Sequence, residues 1–539
     1  MVSLLPHPRP AVQARHGVVA TSHPAAATVG RDILRSGGSA VDAAIAAAAA
    51  LTVVEPTSNG LGGDAFALVW DGDRLHGYNG SGRVPAGLTR ESVYAGGRTE
   101  MPATGWGSVT VPGQIRAWGD LHERFGRLPW ERLLEPAADL AVQGSPVPPV
   151  VAHYWQRGVA GADRLTGPEC GAFRSTFAPD GRAPREGERV SLLGHARTLR
   201  RLAEAGADDF YTGEIARAIV GFAAQTDGFI TAADLADHEG EWVEPVTTAY
   251  GRHTVAEIPP NGQGIATLIA LGILDGLELG PEVTDPHSLH LQIEAMRIAF
   301  ADTFAHVGDP ARVEVPTEGL LDPAYLAERR ALIGPRAGAF GAGHPPRGGT
   351  VLLCVAAPDG AMVSLIQSNF HGFGSGVVVP GWGIALQNRA SGFVLDEGHP
   401  NELRPGRRPF HTIIPGFLFR DDEREDGSTT REPLGPFGVM GGHMQAQGHV
   451  QVVLRTARGA DPQEALDAPR WRVEGDTVLL EPGLAGAAEG LRERGHTVVV
   501  AADDDGGFGR GQAIWRRQGD GGGWIAGSET RCDGLAAGF

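Results

Sequence analysis

The chain has 539 residues, of which 42% are hydrophobic and 20% charged, as expected for a folded globular protein of several layers or sub-domains. Its formal net charge of −18 argues against nucleic acid or an anionic membrane surface as a partner. All 46 basic residues are arginine, and the lack of lysine excludes a pyridoxal Schiff base, a Walker-type phosphate loop and a Ser–Lys dyad.

Cysteine spacing and the length of apolar runs indicate the cellular compartment of the protein. Cys170, Cys354 and Cys532 lie far apart without a CxxC pair, so we expect neither a disulfide framework nor a zinc site. The sequence starts without the basic and apolar regions of a secretion signal. Its most apolar run, 43–54, is shorter than the ~20 residues that span a bilayer. We therefore expect a cytoplasmic protein with no membrane partner.

The first 70 residues predict short strands alternating with helices. Residues 17–24 are typical of a strand and a turn, and the helical stretch 25–34 ends at a glycine pair. Ser39 can cap a second, alanine-rich helix that runs to about residue 51. Its small side chains favour close packing against a sheet. A further strand is predicted over 65–70.

A glycine-rich stretch precedes that last strand. Gly60-x-Gly62-x-x-Ala65 superficially matches a dinucleotide-binding fingerprint, which should follow a strand and open a helix. Because a strand follows here, the pattern favours a loop in close backbone contact, and we expect no cofactor. A flavin or nicotinamide enzyme is the alternative that this motif alone supports.

The middle of the chain holds one candidate binding loop. Residues 79–85 are polar and glycine-rich, so Asn79, Ser81 and Arg83 are candidate ligand contacts, with a solvated surface charge as the alternative for Arg83. Residues 150–250 show no catalytic pattern. Helices are predicted over 265–277 and 287–304, and the glycine- and proline-rich stretch 333–349 is predicted to be an exposed linker.

The strand that begins at Thr350 carries the strongest catalytic signal. The turn Pro358-Asp359-Gly360 predicts a hairpin that pairs Ala357 with Ala361 and sets Thr350 opposite Ser368. A strand that opens with threonine after two glycines is typical of an N-terminal-nucleophile hydrolase. Threonine needs an adjacent base, and a freed α-amine with a pKa of about 7.7–8.0 supplies one. An ordinary hairpin with a threonine at its edge is the alternative.

Taken together, the chain resembles the gamma-glutamyltransferase family of N-terminal-nucleophile hydrolases over nearly its whole length. The resemblance is carried by residues 18–24, 37–44, 54–63, 294–297 with 300–302, 307–310, the Thr350 strand, 373–376 and 531–534. It implies an α/β fold of four layers, α/β/β/α, with mainly antiparallel sheets. It also implies a precursor that cuts itself at Gly349–Thr350 into a large subunit, 1–349, and a small subunit, 350–539, which form one intertwined catalytic domain.

The same resemblance implies roles for individual residues. Thr350 takes the place of the nucleophile, and Ser368 that of a hydroxyl residue that hydrogen-bonds it. Gly441 and Gly442 match the glycine pair of the oxyanion hole, where each donor is worth about 2.7–4 kcal/mol.

The residues that hold the glutamyl group differ from the family pattern. Ser81 stands in place of the carboxylate-binding arginine, Phe370 of an Asn, Arg389 of a Gln, Gly392 of an Asp, and His411-Thr412 of a Ser pair. Arg389 and Arg83 could still grip a substrate carboxylate. This pattern resembles the divergent branch that includes oxamate amidohydrolases and cephalosporin or glutaryl acylases.

We therefore expect a self-processing amidase or acyltransferase that acts on a small carboxylate-bearing amide such as a gamma-glutamyl compound, without cofactor or metal. The expected substrate contacts are Asn79, Ser81, Arg83, Arg389, His411 and Thr412. Oxamate amidohydrolase or glutaryl/cephalosporin acylase activity is one alternative. A non-catalytic protein that binds small carboxylates on the same scaffold is an alternative of another class. The oligomeric state stays open, with a dimer of heterodimers as one arrangement.

Overall fold

The computed structural model describes residues 9–340, 349–423, 429–519 and 522–539. Most of the second half of the predicted linker, 341–348, therefore lies outside the described residues. The strands are β1 (Val12–Ala14), β2 (Val18–Thr21), β3 (Asp64–Trp70), β4 (Leu75–Asn79), β5 (Ser145–Pro146), β6 (Arg189–Val190), β7 (Glu241–Val243), β8 (Val246–Tyr250), β9 (His253–Glu257), β10 (Gly349–Ala356), β11 (Met362–Phe370), β12 (Val378–Val379), β13 (Ile384–Ala385), β14 (Gly416–Glu423), β15 (Thr429–Met440), β16 (Trp471–Glu474), β17 (Thr477–Leu480), β18 (Thr497–Val500), β19 (Arg510–Arg516), β20 (Trp524–Ser528) and β21 (Leu535–Gly538).

The helices are α1 (Pro24–Arg35), α2 (Ala40–Val54), α3 (Arg90–Ala95), α4 (Gln114–Phe125), α5 (Trp130–Gln143), α6 (Pro149–Ala160), α7 (Ala172–Phe177), α8 (Leu193–Ala205), α9 (Asp209–Thr212), α10 (Glu214–Gln225), α11 (Ala232–Ala236), α12 (Gly264–Leu274), α13 (Pro286–His306), α14 (Thr317–Leu320), α15 (Pro323–Arg330), α16 (Met444–Ala457), α17 (Pro462–Asp467) and α18 (Ala488–Glu493).

Two large antiparallel sheets form the centre of the described structure. The first sheet has the strand order β1-β20-β19-β15-β14-β9-β8, and the second sheet has the order β21-β2-β10-β11-β3-β4-β7. All neighbouring pairs in both sheets are antiparallel. Both sheets combine strands from before and after residue 350.

Three apolar clusters hold the layers together. One cluster joins α1, α2, α5 and α8 to the outer face of the second sheet. Another joins α12, α13 and α16 to the outer face of the first sheet. The third contains side chains of both sheets and lies between them. Helix, sheet, sheet and helix follow one another, so the predicted four-layer α/β/β/α fold is confirmed.

Strand β10 illustrates this layering. Val351, Leu353 and Val355 belong to the cluster under the helices, whereas Leu352 and Cys354 belong to the cluster between the sheets. Side chains alternate across a strand, so β10 is buried on both faces. Burial of each large aliphatic side chain contributes about 1.5–3 kcal/mol, which holds the strand that carries Thr350 firmly in place.

Helix α2 lies against the second sheet as its composition predicts. Ser39 Oγ accepts a hydrogen bond from the Asp42 N–H at 3.0 Å, and Asp42 Oδ2 accepts one from the Ser39 N–H at 2.8 Å. This capping box fixes the start of the helix. All 15 residues are buried, because alanine lets the helix approach strands and neighbouring helices closely. The helix continues to Val54, slightly beyond the predicted end.

Helices α12 and α13 cover the first sheet. The structure confirms both predicted helices, although α12 ends at Leu274, three residues before its predicted end. Asp285 caps α13 by accepting hydrogen bonds from the N–H groups of His287 and Ser288. Within the described ranges, no helix combines the length and apolar character needed to cross a bilayer.

Glycines allow two loops to touch beside β3. A Cβ atom at Gly82 would lie 1.5 Å from the Val111 carbonyl oxygen, and one at Gly113 would lie 1.7 Å from the Gly80 carbonyl oxygen. The N–H groups of Gly82 and Gly113 also donate hydrogen bonds to Asp64 Oδ1. The contact therefore holds Asp64 from two sides.

We predict that Gly82→Ala destabilises the protein by about 1–3 kcal/mol, because the added methyl group would force backbone apart. Gly221→Ala is the matched control, since Gly221 lies inside α10 with no atom within 4 Å of its added Cβ. This control should be neutral or stabilising by up to about 1 kcal/mol. Thermal unfolding of both variants measures the difference. Equal midpoints would contradict the close contact.

Candidate active site

Thr350 lies near the start of β10, where the ladder to β11 is irregular. The Ala357 N–H donates to the Ala361 carbonyl as the hairpin count predicts, and the register is regular up to Val351 opposite Gln367. Gly349 then pairs with Phe370, so two residues of β11 face Thr350 alone. The predicted direct cross-strand pair with Ser368 is therefore wrong, because a β-bulge interrupts the ladder.

The two hydroxyl groups nevertheless meet across the bulge. Thr350 Oγ1 donates a hydrogen bond to Ser368 Oγ at 3.1 Å. Ser368 Oγ donates to the carbonyl oxygen of Gly349 at 2.7 Å and accepts from the Phe370 N–H at 2.8 Å. Ser368 thus contacts both the hydroxyl of Thr350 and the carbonyl of the peptide bond that precedes it.

Arg389 lies behind Ser368 in the protein interior. Its Nη1 donates to Thr412 Oγ1 at 2.8 Å, and its Nη2 approaches Ser368 Oγ at 3.4 Å. The guanidinium also lies 4.0 Å from the centre of the Phe370 ring, a cation–π distance. Burial lowers the pKa of Arg389 to about 9. Among the described residues no carboxylate lies within 4.0 Å of this guanidinium. Its contacts are with the neutral groups of Thr412, Ser368 and Phe370.

Phe370 adopts a backbone conformation that side chains rarely take. Its φ angle is +75°. Its ring stacks on that of His371, with 3.8 Å between the two ring centroids. Such a conformation costs about 1–3 kcal/mol and occurs where the surroundings enforce it. Here it places the ring against Arg389.

His411 forms a buried pair with Asp64. The distance from His411 Nε2 to Asp64 Oδ2 is 3.1 Å. Burial, followed by the charge of Arg389, lowers the pKa of His411 to about 4. The imidazole is therefore neutral at pH 7, and it holds the loop that carries Thr412 against β3.

Asn79 and Ser81 form a second buried group, next to Asn261. Asn79 Oδ1 accepts hydrogen bonds from the N–H and hydroxyl of Ser81, and Asn79 Nδ2 donates to Asn261 Oδ1 at 2.9 Å. Asn261 in turn donates to the Pro409 carbonyl at 2.6 Å. The two predicted contacts thus bond to one another and to the loop before His411.

Arg83 is engaged elsewhere. Its Nη2 lies 3.1 Å from Glu241, and its Nη1 lies 3.5 Å from Asp309. The side chain is 30% exposed. Two carboxylates therefore compensate its charge, and the structure does not bring it to Thr350.

Gly441 and Gly442 connect β15 to α16. Their φ angles of +133° and +62° suit glycine. Their carbonyls accept hydrogen bonds from the backbone N–H groups of Met444 and Gln445, respectively. Neither glycine N–H donates to a backbone carbonyl among the described residues, so both donors remain available near the positive end of a helix.

Gln263 is a site residue that the sequence analysis missed. Its Nε2 donates to the carbonyls of Thr412 and Gly442 at 2.6 and 2.9 Å, and its Oε1 lies 2.9 Å from His443 Nδ1. One side chain thus joins the two loops. The turn-forming residues 259–262 before it are the only sequence signal near it.

A cleft of about 320 Å³ opens beside the nucleophile, and we call it the Gly349 cleft. Its walls include Gly349, Gly441, Tyr154, Arg157 and Arg510. Of the predicted site residues, only these two glycines line it. Tyr154, Arg157 and Arg510 could not be identified from the sequence, because they come from α6 and β19, where no motif marks them.

One group of side chains has the spacing of metal ligands. In the described part of the chain, ligand atoms of His290, Glu294 and His496 lie within 4.8 Å of one another. His290 Nδ1 is 2.8 Å from His496 Nε2, and Glu294 Oε2 accepts a hydrogen bond from the Gly338 N–H at 2.6 Å. These bonds account for the cluster as an anchor for residues 334–338, and we assign it no metal.

The chain is similar to known proteins over nearly its whole length. A family model described as gamma-glutamyltranspeptidase matches residues 26–539. The oxamate amidohydrolase proenzyme of Klebsiella pneumoniae is 36% identical and is aligned over 97% of this chain and 98% of the relative. The glutathione hydrolase-like YwrD proenzyme of Bacillus subtilis is 34% identical over the same shares. The crystal structure of a cephalosporin acylase from Bacillus halodurans has a TM-score of 0.92 and 48% identity, covering 99% of this chain and 98% of that one.

We predict that acid destabilises the site through its histidines. Burial lowers the pKa values of His371 and His411 to about 4 and that of His443 to about 3. The unfolded chain, with histidine pKa values of about 6.5, therefore binds more protons in this range. Stability should be intact above pH 6.5 and fall as the pH drops towards 4. Denaturant unfolding at several pH values measures the loss.

His371→Asn removes one of these groups and should make the loss between pH 6.5 and 4 shallower. His306→Asn changes an exposed histidine at the end of α13 and is the control. Identical pH dependence in wild type and His371→Asn would contradict the prediction.

Proposed function

The chain belongs to the gamma-glutamyltranspeptidase family of N-terminal-nucleophile hydrolases, and we propose that Thr350 is its nucleophile, freed when the precursor cuts its own Gly349–Thr350 bond. The observation that carries the proposal is the hydroxyl pair: Thr350 Oγ1 contacts Ser368 Oγ, which donates to the Gly349 carbonyl. The names of both relatives describe proenzymes, which supports processing.

Self-cleavage follows from these contacts. Thr350 Oγ attacks the Gly349 carbonyl carbon while the Ser368 hydroxyl polarises its oxygen. The C–N bond breaks, the proton of the hydroxyl passes to the leaving nitrogen, and residue 349 is held as an ester on Thr350. Water then hydrolyses the ester. The products are a large subunit ending at Gly349 and a small subunit that begins with the free amine of Thr350.

Turnover uses the same atoms. The α-amine accepts the hydroxyl proton as Thr350 attacks the substrate carbonyl, since its pKa suits a base near neutral pH. The N–H groups of Gly441 and Gly442 hold the oxyanion. The proton passes to the leaving amine, and water or a second amine then takes the acyl group from Thr350. Thr350 is β-branched, which restricts its rotamers and aims the hydroxyl.

Arg389 supports this chemistry from behind Ser368. It is the positive charge next to the serine oxygen, and its bond to Thr412 fixes its orientation. Because its donors already contact Thr412 and Ser368 in the protein interior, we assign it to positioning Ser368 instead of direct contact with a substrate. Asn79, Ser81 and His411 likewise support the loops around the site.

The substrate that we propose is a small amide with a carboxylate, such as a gamma-glutamyl compound. Oxamate is the alternative that the name of the amidohydrolase relative favours. Glutaryl amides are the alternative that the sequence resemblance implies. All are small enough for a cleft of about 320 Å³. A protein that is cut but only binds carboxylates is the alternative of another class.

We predict that purified wild-type protein separates into two bands in denaturing electrophoresis, fragments 1–349 and 350–539, and that Thr350→Ala gives one uncut band. Thr350→Ser keeps a hydroxyl and should still be cut. Thr21→Ala is the control, because the Thr21 hydroxyl is also buried and bonds the neighbouring Leu352 carbonyl at 3.0 Å. It should be cut like wild type.

A single uncut wild-type band would refute the proposal. Amino-terminal sequencing of the smaller band must start at Thr350. The cut protein is then assayed with glutathione, a gamma-glutamyl anilide, oxamate and a glutaryl anilide. Binding of these compounds without release of amine or ammonia would favour the non-catalytic alternative.

We predict that Ser368→Ala slows self-cleavage by about 10²–10³-fold, the usual effect of removing one donor to a developing oxyanion. The rate is followed by the appearance of the fragments with time. Ser364→Ala removes a buried hydroxyl from the same strand, where it bonds Phe437, and should leave the rate unchanged. Equal rates for the two variants would exclude Ser368 from the step.

A further inference from the structure

We propose that Arg157 binds the carboxylate of the substrate in the Gly349 cleft. The inference rests on the proposed function, since it requires Thr350 to act from the wall of this cleft. It assigns recognition of a small anion to a residue of α6 that no sequence motif marks.

The cleft leads directly to the reacting atoms. Gly349 and Gly441 both line it, so the residue before the scissile bond and one of the two proposed oxyanion-hole glycines border the same space. Thr350 itself is 1% exposed while Gly349 is attached. Cleavage removes the bond to Gly349 and frees the Thr350 amine at the wall of the cleft. A volume of about 320 Å³ is at the lower end for ligand sites, which suits a small acyl amide.

Among the described residues, the charges that line the cleft leave one cation without a carboxylate partner. Its charged side chains are Arg157, Asp505 and Arg510. Asp505 pairs with Arg472 at 3.1 Å. Arg510 pairs with the buried Glu55 at 3.3 Å. Arg157 has no carboxylate within 4.0 Å among the described residues. An anion that enters the cleft therefore meets an arginine whose donors are available.

Packing holds α6 at this wall. A Cβ atom at Gly158 would lie 2.4 Å from the Phe373 ring, so the helix touches the loop after β11 at the residue next to Arg157. Tyr154, one turn earlier, has its ring 6.0 Å from the Arg157 guanidinium and 4.8 Å from that of Arg510. The ring thus lies between two cations and limits where they move.

The other arginines near the site are less suited to this task. Arg389 is fully buried behind Ser368, and Arg83 is compensated by Glu241 and Asp309. Arg157 is exposed, so a carboxylate can reach it without breaking an existing ion pair. A guanidinium can grip a carboxylate through two parallel hydrogen bonds.

The test compares wild type with Arg157→Gln and Arg157→Lys. Electrophoresis first establishes that each protein is cut. Calorimetric titration of the cut proteins with oxalate and with glutarate, which have no amide bond to hydrolyse, then measures affinity, and the neutral diamides oxamide and glutaramide serve as matched ligands. Arg164→Gln is the control variant, because it removes an exposed arginine just beyond α6 that does not line the cleft.

We expect at least one of the two carboxylates to bind wild type and Arg164→Gln equally. Its affinity for Arg157→Gln should fall about 10- to 100-fold, the usual range for losing a charge-assisted hydrogen bond. Arg157→Lys should lie between, and binding of the diamides should not change between variants.

The experiment distinguishes failure of the proposed function from failure of the Arg157 site. Absence of cleavage in wild type and variants alike would overturn the proposed function. Cleavage with equal carboxylate affinity in wild type and Arg157→Gln, or with no carboxylate binding to wild type, would overturn the Arg157 site alone.

Discussion

The contact between the hydroxyls of Thr350 and Ser368 is the interaction on which the site depends. It is made where the β10–β11 ladder is interrupted, so the residues that follow Ser368 leave regular strand geometry. Phe370 accepts a positive φ angle as a result and places its ring on Arg389. Ser368, beside this bulge, thus connects the nucleophile to a buried cation.

The buried guanidinium of Arg389 requires polar or aromatic groups around it. A buried arginine without a counter-ion is unfavourable unless dipoles and aromatic faces replace water. Thr412, Ser368 and Phe370 provide this environment, and the neutral imidazole of His411 adds no second positive charge. The loops that hold these groups are themselves tied by Gln263 and Asn261. Rigidity at the nucleophile therefore comes from polar bonds between loops as well as from the apolar layers.

The features that could be predicted from the sequence are those that depend on residues close together along the chain. The cap at Ser39, the turn at 358–360 and the strand that opens at Thr350 each depend on neighbouring residues, and the structure has all three. The bulge opposite Thr350 could not be predicted, because the backbone of Asn369 bonds to Ser58 and Asn388 instead of to β10, and Ser58 is distant along the chain. Tyr154 and Arg157 could not be found either. They reach the cleft only through the packing of Gly158 on Phe373, a contact between segments more than 200 positions apart along the chain.

The mixed strand order of the sheets has a mechanical consequence. In the second sheet β10 and β11 lie between β2 and β3, and β21 pairs with the other edge of β2. In the first sheet β9 and β1 flank strands from the end of the chain. Hydrolysis of a single peptide bond at residue 349 would leave every one of these ladders in place. The two pieces would therefore stay interlocked, and dissociating them would require melting both sheets, so that the nicked protein should unfold as one cooperative unit.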